Sequence, residues 1–332
     1  MAERSRSWLV VLVALALLVV AVLVSLSVGS NHLPLGRVWS LLLAPDDSLE
    51  ADILRNERLP RTLLAVVVGA GLALGGLLMQ TLTRNPLADP GILGVNAGAG
   101  FAVVLGVALL GVVSIWGYVW FALLGAAIAA VVVHLIGAMG GAGVPTRVVL
   151  AGVAVSAVLT SFTQGVVLAD REAFNEFRFW VAGSLEGRGW QVLGCVAAFV
   201  VVGMVLARIA APGLDALALG EETGRGLGVD VRRTRTLGMA AITVLCGAAT
   251  AAVGPILFVG LAVPFAARAL VGHDQRRLIV LCAVLGPIWM LAADVLARVI
   301  VPGQEVQTGV VAALAGAPVF LALVRRRRIP AL

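Results

Sequence analysis

The sequence contains no lysine; all 24 of its basic residues are arginine. Only 13% of its 332 residues are charged and 61% are hydrophobic, whereas a soluble domain carries roughly 25% charged residues. So little charge cannot cover a water-exposed surface, and the remaining apolar surface must face lipid. A chain without lysine has no GxxxxGK[ST] loop, so any ATP chemistry has to come from a partner chain. Cysteine is scarce as well. Cys195, Cys246 and Cys282 each lie inside an apolar run without CxxC spacing, and they read as small packing residues rather than a disulfide framework. His32, His134 and His273 are scattered and make no metal constellation. No Ser/His/Asp set or carboxylate pair marks an active site, so the chain does not read as an enzyme. The formal charge of +6 does not point to nucleic acid, because the arginines are spread over loops between apolar runs, where membrane topology accounts for them.

What the sequence has in abundance is long apolar runs. A helix needs ~20 apolar residues to cross ~30 Å of hydrocarbon. Such runs lie near 8–28, 62–82, 92–111, 117–137, 148–169, 191–210, 237–256, 258–271, 279–299 and 308–324. The expected fold is all-α: one polytopic membrane domain over 1–332 with about ten transmembrane helices. The eighth run is short and contains Pro264. The first run is longer than a signal-peptide core and no clear cleavage site follows it, so it reads as a helix.

Orientation follows from arginine placement. With the N-terminus inside and all ten runs crossing, the inner loops hold 15 arginines: Arg4, Arg6, Arg84, Arg147, Arg208, Arg225, Arg232, Arg233, Arg235, Arg276, Arg277 and Arg325 to Arg328. The outer segments hold eight: Arg37, Arg55, Arg58, Arg61, Arg171, Arg178, Arg188 and Arg298, with Arg268 left out because it sits in the short eighth run. This bias places both termini in the cytoplasm. Runs two to five then start outside and runs seven to ten start inside. The two sets form a candidate inverted repeat, a common transporter plan. Its sequence trace is GAGLALGG in run two and CGAATAAVGP in run seven.

Three local features carry chemistry. Gly69, Gly71, Gly75 and Gly76 in run two permit close helix packing in lipid. After them, Arg84-Asn85-Pro86 and Asp89-Pro90-Gly91 force a non-helical turn. Irregular backbone at membrane depth must lie against protein or a water-filled cavity. Gln80, Asn85, Pro86, Asp89, Pro90 and Asn96 are therefore candidate pathway or gate residues, with interhelical hydrogen bonding or a plain tight turn as alternatives. Arg55, Arg58 and Arg61 are spaced by three in an outer segment, against the positive-inside tendency. They either await acidic groups on a partner or pair locally, Asp52 with Arg55 and Glu57 with Arg61. Asp294 within run nine reads as an i,i+4 partner of Arg298 rather than a proton carrier. The inner segment 211–236 reads as two short helical turns, Leu214 to Leu219 ending at Gly220 and Glu221 to Leu227 ending at Gly228. Glu221 and Glu222 supply negative charge at a helix start.

RLPRTLLAVVVGAGLALGGLLMQTLTRNPLADPGILGVNAGA (58–99) resembles the permeases of binding-protein-dependent ABC importers for ferric siderophores, haem and vitamin B12. So do FWVAGSLEGRGW (179–190), LALGEETGRGLGVDVRRTR (217–235), GPILFVGLAVPFAARALVGHDQRRLI (254–279) and ADVLARVIVPGQEVQTGVVAALAGAPVFLALVRRRR (293–328). The motifs run in order over nearly the whole chain. Two departures stand out. Phe265 follows Pro264 where the family often has histidine, and Pro302 to Gly309 lacks the second proline of PxELPxG.

The resemblance implies a permease subunit in a bacterial cytoplasmic membrane. It implies a second permease chain, identical or homologous, two ATP-binding cassette subunits that bind ATP and Mg, and an external substrate-binding protein. No cofactor is implied on this chain, and nucleic acid is not a partner. Arg58, Arg61 and Arg298 are implied to dock the binding protein. The segment 211–236, through Leu219, Gly220, Glu221, Glu222, Gly226, Leu227 and Gly228, is implied to couple to the ATPase. The implied mechanism is alternating access for a ferric siderophore, with vitamin B12 or haem as alternative cargo. An ion-coupled secondary transporter is the reading from a different class, and only Asp294 speaks for it.

Overall fold

The computed structural model describes residues 2–29, 33–44, 46–138, 145–218, 220–301 and 304–325. Among these the ordered elements are all helical. Helix α1 is Ala2–Ser27; α2 (Leu35–Leu43) and α3 (Leu49–Asp52) follow as short pieces. A π-helical turn, Ile53–Arg58, then leads without a break into α4, Leu59–Thr83. A 3₁₀ turn at Pro90–Leu93 precedes α5 (Val95–Leu110). Next come α6 (Ile115–Ala138), α7 (Pro145–Ala169), α8 (Arg171–Ala182), α9 (Trp190–Ala218), α10 (Glu221–Gly226) and α11 (Val231–Val253). The chain continues with α12 (Val259–Val271), α13 (Gln275–Val299) and α14 (Thr308–Arg325).

Each of the ten apolar runs becomes a helix. By length and composition seven can cross a membrane, lying within 8–27, 49–83, 115–137, 147–169, 190–218, 231–253 and 275–299. Three apolar helices are shorter: Val95–Leu110, Val259–Val271 and Thr308–Ala322. At 1.5 Å per residue α5 extends about 24 Å and α12 about 20 Å, less than the ~30 Å of hydrocarbon. The chain is a multi-pass membrane protein, and large apolar residues of α1, α6, α7 and α9 stay exposed in this isolated chain: Trp8, Leu124, Phe162 and Val201 are 63%, 58%, 61% and 58% accessible.

Acidic caps set several helix starts. Asp170, Asp230 and Asp274 accept the backbone N–H of Ala173, Arg233 and Arg277 at 2.7, 2.9 and 2.9 Å, as expected at N-caps. Helix α4 is the hub and packs on α9, α11, α12 and α13. Glycine makes these approaches close. A Cβ on Gly69 would lie 2.5 Å from the Gly286 carbonyl oxygen of α13, and one on Gly76 would overlap the Gly260 backbone of α12. The glycines of run two therefore serve packing, as their spacing suggested.

Two of the short helices, α5 and α12, start inside the bundle. Arg84 ends α4 in the left-handed region, φ 50°, and the chain folds back so that Pro90 lies beside Gly75 and Gly260. Gly75 is eight residues, about 12 Å, from the end of α4. Residues 84–94 thus return into the bundle before α5 begins. The segment 254–258 does the same before α12, with Phe258 at φ 67°. Backbone of this kind at membrane depth is enclosed by protein.

One expectation about the 211–236 segment is corrected. Its first turn is not separate: α9 runs through Pro212 to Ala218. Leu214 and Leu217 are buried, so the apolar face of α9 extends the helix past the proline. Leu219 lies outside the described residues. The second turn is present as α10, with Gly220 before it and Leu227 at its C-cap. Gly228 takes φ 79°.

Candidate functional site

Two polar clusters lie at opposite ends of α4. The first surrounds Asp294, which is fully buried in α13. Arg61 grips its carboxylate with Nη2 at 2.9 Å and Nε at 3.1 and 3.2 Å. Arg298 Nη2 donates to Asp294 Oδ2 at 2.8 Å, and Thr308 Oγ1 donates to Oδ1 at 3.0 Å. A second acid, Glu305, accepts from Arg61 Nη1 at 2.7 Å. The i,i+4 pairing of Asp294 with Arg298 is as the spacing suggested. Local pairing of Glu57 with Arg61 is not what forms: Arg61 reaches across the chain instead. Asp52 accepts from Asn56 Nδ2 at 2.6 Å.

The same arginines hold the end of α1. Arg58 Nη1 donates to the carbonyls of Leu26 and Ser27 at 2.8 and 3.0 Å. Arg298 Nη1 donates to those of Ser25 and Val28 at 3.0 and 2.8 Å. The last carbonyls of a helix lack intrahelical donors and carry partial negative charge, so two guanidinium groups cap α1 in both respects. Ser25 Oγ accepts from Arg298 Nη2 and shares a 2.8 Å hydrogen bond with Thr62. Arg58 and Arg298 are only 5% and 7% exposed. Arg61 has a partner at the rim: its side chain is 11% exposed and that of Glu305 26%.

The second cluster surrounds the end of α4 at Arg84. Arg84 Nη2 donates to the Leu217 carbonyl at 2.6 Å. The Gln275 backbone N–H donates to Asp215 at 3.0 Å and its side chain to Thr81 at 2.8 Å. Gln80, fully buried, donates to the Gly260 carbonyl at 3.1 Å and accepts from Arg268 Nη1. Below this cluster α10 carries Glu221, which binds Arg225 at 2.7 Å and Arg235 at 2.9 Å. Glu222 and Gly226 are exposed beside it.

The remaining gate candidates lie in the turn after α4 and at the start of α5. Asn85 accepts the Leu87 N–H at 3.0 Å in an exposed turn with Pro86. Asp89 accepts the Gly91 N–H at 2.7 Å and starts the 3₁₀ turn at Pro90. Asn96 accepts from Thr250 of α11 at 2.9 Å. Gln80 and Asn96 therefore make the interhelical hydrogen bonds that were the alternative reading. Sequence reasoning missed Ser25, Thr62, Glu305 and Thr308 at one end and Asp215, Arg268 and Gln275 at the other. The lone cation in a short apolar run was the available signal for Arg268; nothing local marked the others.

Residues 17–326 match the FecCD transport family, and the chain belongs to that family. It is 46% identical over 314 residues to the ferric enterobactin transport system permease protein FepD of Escherichia coli (strain K12), with 94% of each chain covered. It is 35% identical to the hemin transport system permease protein HmuU of Yersinia pestis, covering 95% of this chain and 94% of that one. Among solved structures it resembles a metal-chelate type ABC transporter in an inward-facing conformation. That match has a TM-score of 0.84 and 28% identity, covering 95% of this chain and 98% of the other.

Proposed function

We propose that this chain is the permease subunit of an ATP-driven importer that carries a ferric siderophore across a bacterial cytoplasmic membrane by alternating access. The observation that carries this reading is an apolar helical bundle with two helices that start inside it, matched over nearly its full length by transport permeases of the same family. All ten apolar helices cross, with both termini in the cytoplasm. The Asp294 end then faces outside and the Arg84 end faces inside. The inverted repeat pairs α4–α7 with α11–α14. In its support, α4 packs on α13 as α11 packs on α6, and the short helices α5 and α12 hold equivalent places.

The inner segment 211–236, with α10 at its centre and Gly220, Glu221, Glu222, Gly226, Leu227 and Gly228 around it, couples the bundle to two ATP-binding cassette subunits. Those subunits bind ATP and Mg; this chain binds neither. A second permease chain completes the pathway, bordered at the fold-back by Asn85, Pro86, Asp89 and Pro90. An external binding protein delivers the chelate to the Asp294 end. There Arg61 exchanges its rim partner Glu305 for an acid of the binding protein, while Arg58 and Arg298 hold the end of α1 beneath it. Arg61→Lys keeps the charge but loses the bidentate fork. It is expected to weaken capture of the binding protein by the folded permease, measured by surface capture. Unchanged capture would remove Arg61 from docking.

The whole reading is tested by uptake of labelled ferric siderophores, haem and cobalamin into iron-limited cells with and without this gene. Loss confined to a ferric siderophore, restored by the gene, is the expected result. Loss confined to haem or cobalamin would reassign the cargo. Uptake that persists without the partner ATPase would favour an ion-coupled transporter instead.

A further inference from the structure

Helix α12 contains a proline in its second turn, and Pro264 has no N–H. The carbonyl that this N–H would have served is that of Gly260, four residues earlier. Gly260 O is not left unpaired, because Gln80 of α4 donates its side-chain Nε2–H to it at 3.1 Å. The other half of the same amide, Oε1, accepts from Arg268 Nη1. Gln80 is fully buried. One side-chain amide thus serves both the first and the last turn of the half-helix.

Arg268 makes this costly to lose. Its Nη2 is buried without a hydrogen-bond partner, and among the described residues no carboxylate lies within ion-pair distance of it. A charge inside an apolar bundle that is not neutralised by an acid is expensive, and such residues face functional parts of the bundle. Next along α4, Thr81 accepts from Gln275, and Arg84 holds the Leu217 carbonyl at the mouth of the α10 segment. The last turn of α4 therefore joins three things: the α9–α10 segment, the start of α13 and both ends of α12.

We propose that Gln80 and Arg268 are positioning residues for transport. Together they lock α12 to the inner end of α4, so that displacement of the 215–235 segment moves α12 with it. This rests on the permease reading above.

The test uses the permease reconstituted in vesicles with its second permease chain and partner ATPase, supplied with loaded binding protein. Arg268→Met removes a buried charge that lacks a counter-ion, so the variant is expected to unfold no earlier than wild type. Chelate uptake per ATP hydrolysed is nonetheless expected to fall about tenfold, the weight of one hydrogen bond to a charged group. Unchanged uptake per ATP in this folded variant would overturn the proposal, because a purely structural contact would leave that ratio alone. Gln80→Met probes the other bond. It is expected to lower the unfolding temperature clearly in the wild-type background and less in Pro264→Ala, where α12 regains its own N–H donor to Gly260. Equal losses in both backgrounds would overturn the substitute-donor role. A wild-type complex that takes up no ferric chelate would instead overturn the transport reading, so the two failures are distinct.

Discussion

Asp294→Asn is expected to lower stability by about 3–5 kcal/mol, the cost of removing one partner from a buried ion pair. The wild-type carboxylate is fully buried and receives Arg61, Arg298 and Thr308. An asparagine keeps the shape but not the charge. Its amide also presents N–H where guanidinium donors converge. Two buried arginines would then face each other with Glu305, at the rim, as the nearest acid. The end of α1 would loosen with them, because Arg298 also holds the Ser25 and Val28 carbonyls. Thermal unfolding in detergent measures the effect. Adding Arg298→Met should recover part of the loss, since it removes one of the stranded charges. An Asp294→Asn variant as stable as wild type but with altered pH dependence of uptake would point to proton coupling instead.

Gly76→Leu is expected to be at least as damaging. The Cβ alone would overlap the carbonyl and Cα of Gly260, and these are backbone atoms that cannot rotate away. Helix α12 would have to move off α4, which breaks the Gln80–Gly260 hydrogen bond and displaces Pro90 from between Gly75 and Gly260. Overpacking of a tight core costs about 1–3 kcal/mol where side chains can adjust, and backbone contact leaves less room to do so. The expected result is failure to accumulate folded permease. Gly36→Ala makes the control, because nothing lies within 4 Å of a Cβ there, and it should leave yield unchanged. Normal yield of Gly76→Leu would mean that α12 is not anchored at this contact.

Much of the architecture is legible without coordinates. Ten apolar runs, two proline-bearing breaks and a glycine-rich second run are local properties, and helices in lipid must satisfy their own backbone within each segment. The shortness of the α12 run and the non-helical turn at 84–91 also follow from where proline and glycine stand, whereas the return of 84–94 into the bundle is seen only in the packing of Pro90 beside Gly75 and Gly260. The 211–236 segment was harder. Leu214 to Leu219 read as a separate short turn, yet α9 continues through Pro212 to Ala218, because buried Leu214 and Leu217 keep the apolar face on the bundle.

The arginines at 55, 58 and 61 show where sequence reasoning stops. Spacing of three offers Arg61 a neighbour at Glu57, but its partners are Asp294 and Glu305, more than 230 residues away. By itself the sequence determined a multi-pass helical membrane protein, its family motifs and the places where helices must break. Only the tertiary structure decided that Arg61 meets Asp294 and Glu305, that Arg58 and Arg298 cap α1, and that Gln80 replaces the donor Pro264 lacks. The reason is physical. Hydropathy and backbone chemistry act within a few residues, whereas a buried charge or an unpaired carbonyl takes whichever partner packing brings within about 3 Å.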